Sequence, residues 1–178
     1  MNFFDPEPPT EEERVREIYG LDEVEAAATL LPKLQMLEDR LRVNSRAGNP
    51  DLTSTVRRAV KGLISSGAEW VGTGTSRIAF TFPGSNLVIK VPYSTAGYTA
   101  SMREEQAFQD FKKYPHLCTP IAECSFIDFS STFGMNLLVM EHLHEFPETL
   151  TGLPGWVHSV DCGQVGYNSK KKLVAYDL

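Results

Sequence analysis

Residues 71–91 read VGTGTSRIAFTFPGSNLVIKV, a Gly-rich loop followed by a strand, a turn and a second strand. Ile78, Phe80 and Phe82 alternate with smaller or polar residues, as a half-buried strand requires. Pro83-Gly84-Ser85-Asn86 has turn composition, and Leu87 to Val91 reads as the returning strand of a hairpin. Ahead of it, Gly72-Thr73-Gly74-Thr75-Ser76-Arg77 joins Trp70-Val71 to the first of these strands. Such a loop is either a plain hairpin turn or a segment whose backbone N–H groups approach an anionic ligand. A dinucleotide-binding loop would need a helix next, and the next element reads as a strand.

Lys90 lies among Val88, Ile89 and Val91. An ammonium in a buried strand is costly without an anion, so Lys90 needs a carboxylate or phosphate, unless it snorkels from an edge. The helix expected over Ala100–Tyr114 offers the carboxylate. Glu104 precedes Ala107, Phe108 and Phe111 by three, four and seven residues and shares their apolar face. Glu105 is turned about 100° away. The pattern therefore pairs Lys90 with Glu104.

Further along, Ile121–Phe129 and Met135–Leu143 read as two strands, and Gln164–Tyr167 with Leu173–Tyr176 as a short final hairpin. Strand, strand, helix, strand, strand and hairpin indicate α+β with a mostly antiparallel sheet. Upstream, residues 1–67 read as a helical extension preceding a domain at 68–178. Thr10-Glu11-Glu12-Glu13 has the form of a capping box for a short helix ending near Gly20. A second helix is expected from Asp22 to about Arg46, with Leu30, Leu34, Leu37 and Leu41 on one stripe and a kink at Pro32. A third is expected over Ser54–Ser65. This region is either a partner-binding arm or a packing element that completes the core.

Composition narrows the function classes. With 178 residues, 42% hydrophobic and 22% charged, the chain has the balance of one globular domain, or of one plus a helical element. A net charge of −6 argues against broad nucleic-acid binding. No apolar run approaches a bilayer span, and no basic flank followed by an apolar segment marks a signal peptide. Cys118, Cys124 and Cys162 lack zinc-ligand spacing and suit buried thiols in a reducing compartment, so a cytoplasmic location is expected.

The Gly-rich loop, Val88-Ile89-Lys90-Val91, the helix glutamate, Leu137–Leu143 and Lys172–Asp177 together resemble the protein-kinase-like fold over about residues 69–178. The run with Gly97 and Glu104, and Gly163–Tyr167 before Tyr176-Asp177, is most similar to small kinase-like proteins of phages and bacteria. The resemblance implies an N-lobe of antiparallel sheet plus one helix, with a reduced C-terminal hairpin. It implies ATP and magnesium as cofactors. Gly72, Gly74, Ser76, Arg77 and Lys90 match the phosphate-holding positions, while Met140, Glu141 and Leu143 match the gatekeeper and the hinge that cradles the base. Asp177 and Gln164 match metal ligands, and Lys90, Glu104 and Asp161 the catalytic set.

Departures from an active kinase bear on catalysis. Arg77 replaces the third loop glycine, and its guanidinium is able to reach a phosphate. If Gln164 takes the place of the metal-binding Asn, Ser159 stands where a catalytic Asp belongs, with Val157 and His158 before it. A serine does not deprotonate a hydroxyl as a carboxylate does. The interval from Leu143 to His158, rich in Pro and Gly, is not expected to hold a long helix, and no substrate lobe is expected after Asp177. The resemblance thus implies a pseudokinase acting mainly through a protein partner, a host factor if the protein is viral. The alternative it leaves is an atypical phosphotransferase using Lys90, Asp177 and Asp161.

Overall fold

A computed structural model describes residues 31–46, 51–130, 135–160 and 163–177. The hairpin anticipated around residues 71–91 forms its centre. Strands β1 (Glu69–Thr73), β2 (Arg77–Thr81) and β3 (Leu87–Pro92) run antiparallel in succession. Gly84 turns the β2–β3 connection at φ 74°, a backbone conformation that costs glycine little. β4 (Cys124–Ser130) and β5 (Met135–Glu141) complete a five-stranded antiparallel sheet in the order β1-β2-β3-β5-β4. β3 is therefore an interior strand, and an edge lysine at position 90 is excluded.

Period-two alternation sends the strand residues to two faces, and both faces are covered. On one, Ile78, Phe80, Ile89, Val91, Leu137 and Val139 join a core with Leu34, Leu37 and Leu41 of α1 (Leu31–Arg46) and Val56, Val60 and Leu63 of α2 (Leu52–Ile64). The described helices upstream of the sheet thus act as packing elements. Pro32 lies in the first described turn of α1. Asp51 caps α2, accepting from the N–H groups of Thr53 and Ser54 at 3.1 Å each, so the helix begins two residues before the expected Ser54. The expected helix over Thr10–Gly20 and the start of the next one, residues 22–30, lie outside the described residues.

The other face carries Lys90 in line with Val88, Leu138, Met140 and Phe126, and is covered by α3 (Thr95–Lys113) and the C-terminal hairpin. Ser94 caps α3 by accepting from Gly97 N–H at 3.2 Å. The helix begins five residues before the expected Ala100. The expected strand at Ile121 starts instead at Cys124, because Ile121 bridges in parallel to Ala175. There Ala122 N–H donates to the Ala175 carbonyl and Ala175 N–H to the Pro120 carbonyl, both at 2.8 Å. These bonds dock β6 (Val165–Tyr167) and β7 (Leu173–Ala175) beneath the sheet. Between β5 and β6 the described residues hold one short 3-10 turn, Gly155–Ser159, and no long helix. Among the described residues no helix is long and apolar enough to cross a membrane.

Candidate functional site

Lys90 and Glu104 meet as the shared-face argument expects. The Lys90 Nζ donates to Glu104 Oε2 at 2.9 Å and to Oε1 at 3.2 Å, with Lys90 6% and Glu104 1% exposed. Glu105 points elsewhere and accepts the Phe126 N–H at 3.0 Å, tying α3 to β4. Two carboxylate oxygens taken from water need this many donors to offset their desolvation.

A second cation reaches the same carboxylate. Arg77, expected at the end of the Gly-rich loop, is the first residue of β2 and turns its guanidinium under the sheet. Its Nη2 donates to Glu104 Oε1 at 2.7 Å and also to Asp177 Oδ1; its Nη1 lies 3.4 Å from Ser101 Oγ. Asp177 sits two residues past β7, so the bonds that dock the hairpin also deliver this carboxylate. It lies 3.5 Å from Lys90 Nζ, and Gln164 Nε2 lies 3.5 Å from its Oδ2. Its φ of 59° is left-handed, a conformation that Asp tolerates better than most residues. Burial pushes the Asp177 carboxyl upward, but Lys90 and Arg77 outweigh it and hold the group below the usual Asp range. Arg77, Lys90, Glu104 and Asp177 therefore form a neutral quartet.

Arg77, Lys90 and Asp177 form the floor of a cavity of about 860 Å³, with Glu104 buried behind them; the lining also includes Gly72, Ser76, Met140 and Leu143. That volume is within the range of small-molecule sites. The loop above it is pinned at its far end: Tyr93 N–H donates to the Ser76 carbonyl at 3.0 Å, and Gly74 N–H to the Arg77 carbonyl at 2.9 Å. Neither Gly72 nor Gly74 has a positive φ; a Cβ at Gly72 would meet no atom within 4 Å. Along the wall, Met140 and Leu143 are buried. Glu141 is engaged with Glu123, whose N–H donates to its carboxylate at 3.0 Å and whose carbonyl accepts its N–H at 2.8 Å.

His142 is a lining residue that the sequence reading passed over. Its Nδ1 is buried without a hydrogen-bond partner, and its ring lies 4.2 Å from that of His144. Burial, then the neighbouring His144, holds its pKa below the ordinary histidine value. Only its place at the exit of β5 could have marked it. Ser159 closes the 3-10 turn and donates its hydroxyl to the Trp156 carbonyl at 2.6 Å. Asp161, like Cys162, lies outside the described residues. Among the described residues no group of three or more His, Cys, Asp or Glu side chains is arranged to hold a metal.

No protein-family model matches the chain, no curated protein matches it, and no solved structure matches its fold.

Proposed function

We propose that this chain is a kinase-like protein that binds ATP in the cavity beneath its Gly-rich loop and works as a binding module without transferring phosphate. One observation carries the reading. A buried lysine on an interior strand is paired with a helix glutamate, and an aspartate 87 residues further on approaches the same ammonium. An ion pair this costly to bury, facing a cavity of about 860 Å³, suits a site that receives an anionic ligand. The nucleotide fits the residues present: Lys90 and Arg77 supply cationic donors, the loop from Gly72 to Ser76 overlies them, and Met140 and Leu143 give an apolar wall for a base.

The non-catalytic half of the reading rests on Ser159. With Gln164 matched to the metal-binding Asn of the kinase pattern, Ser159 matches the place of the general base; it has no carboxylate, and its hydroxyl donates to the Trp156 carbonyl. A module of this kind acts through a protein partner.

Thermal melting of the full chain with and without ATP tests binding, since a ligand of the native state raises the midpoint at saturating concentration. Lys90→Ala should lose most of the rise, and no rise for the wild type would remove the nucleotide from the account. Radiolabelled phosphate transfer to a protein substrate, abolished by Asp177→Ala, would overturn the non-catalytic reading.

A further inference from the structure

We propose that Arg77 takes the place of a divalent cation in this cavity, so that the chain binds a nucleoside triphosphate without a metal ion. The inference rests on the nucleotide reading above and specifies the chemical form of the ligand.

The charges on the cavity floor carry it. Lys90, Glu104 and Asp177 alone are one cation and two anions, a net negative set at the floor and directly behind it that repels a polyphosphate. Arg77 brings the sum to zero with no metal present. Its position is fixed by several contacts. Nη2 bridges Glu104 and Asp177, Nη1 lies near Ser101, and the aliphatic stem sits against Gly97, where a Cβ would come within 3.0 Å of the Arg77 Cγ.

A divalent ion does not fit beside it. Asp177 Oδ1 already accepts from both Arg77 and Lys90, and Oδ2 faces the Gln164 amide nitrogen. Magnesium demands near-octahedral oxygen coordination and leaves its water reluctantly. At Oδ1 it would stand beside two cations that the packing holds in place, and like charges at such distances repel strongly away from bulk water. A phosphate oxygen entering the cavity meets two lining cations, Arg77 and Lys90, against the one carboxylate of Asp177, with Glu104 buried behind them. Arg77 and Lys90 both line the cavity, and the Arg77 Nη1, 3.4 Å from the Ser101 hydroxyl, is a guanidinium nitrogen not committed to a carboxylate.

Calorimetric titration of the full chain with ATP tests this, once with excess EDTA and once with magnesium. The expected result is a Kd that changes by less than about threefold between the two. Binding that is more than about threefold tighter with magnesium overturns the role of Arg77 and leaves the nucleotide site standing. Binding in neither condition overturns both. Arg77→Met should lose about tenfold or more in affinity in EDTA and regain it with magnesium, whereas Arg77→Lys should stay metal-independent. The wild-type comparison decides the matter by itself if Arg77→Met does not fold.

Discussion

Gly97 and Ser76 are in such close approach that a Cβ at Gly97 would fall 2.2 Å from the Ser76 carbonyl oxygen. The first turn of α3 is thereby seated on the end of the Gly-rich loop, and the same carbonyl accepts the Tyr93 N–H. The two Ser76 atoms beside the missing methyl, O at 2.2 Å and C at 3.0 Å, are backbone and do not yield by changing rotamer; the third neighbour is the Arg77 Cγ at 3.0 Å. Gly97→Ala should destabilise the protein by about 1–3 kcal/mol through forced backbone shifts, although alanine is the better helix former. Urea denaturation measures it. A stabilised variant would show that the loop and helix are not in contact.

Glu104 holds two cations, and its removal should be more costly than that of an exposed glutamate. Glu104→Gln leaves Arg77 and Lys90 facing a neutral amide in a buried site, and a loss of about 3–5 kcal/mol is expected. Lys90→Met combined with Glu104→Leu should cost less than the sum of the two single changes, because the partners act as a unit. Additive losses in a double-mutant cycle would contradict the pairing.

The upstream helices should matter to the stability of the whole sheet. Leu37 and Leu41 are fully buried in the core that contains Phe80 and Ile89. Leu37→Ala is expected to cost about 2–5 kcal/mol, and the transition should remain a single cooperative step. Two separated transitions would show that residues up to 67 fold as a unit of their own.

Much of this arrangement was legible in the sequence because it depends on local periodicity. Alternation at Ile78, Phe80 and Phe82 placed β2, and the helical spacing of Glu104, Ala107 and Phe108 put that glutamate on the face that meets Lys90. The start of α3 was hidden by Thr95, Gly97 and Thr99, which are weak helix formers. The Ser94 cap was the available signal, and the glycine is needed for the approach to Ser76 and not for the helix. The partners of Arg77 were not legible at all. Glu104 and Asp177 lie 27 and 100 residues away and arrive by strand pairing and hairpin docking, which no window of sequence contains. The strand expected at Ile121 failed for a similar reason, since its bridge to Ala175 is a long-range contact.

His142 should give the stability a pH dependence near neutrality. Its pKa is depressed by burial and by His144, so the folded chain takes up this proton less readily than the unfolded chain does. Its contribution is complete above the unfolded value of about 6.5 and is lost as pH falls from there through the depressed folded value. The urea midpoint should drop between about pH 7 and pH 5, and His142→Gln should flatten that slope. An unchanged slope would locate the effect in another group.

On the proposed reading, ATP occupies the space between the Gly-rich loop and the Lys90–Glu104 pair. Hydrogen exchange of backbone amides, with and without saturating ATP, tests it most directly. Slowed exchange is expected at Gly72–Arg77 and around Met140–Leu143, with both effects lost in Lys90→Ala. Protection confined to α1 and α2, or none at any concentration of ATP, would contradict it.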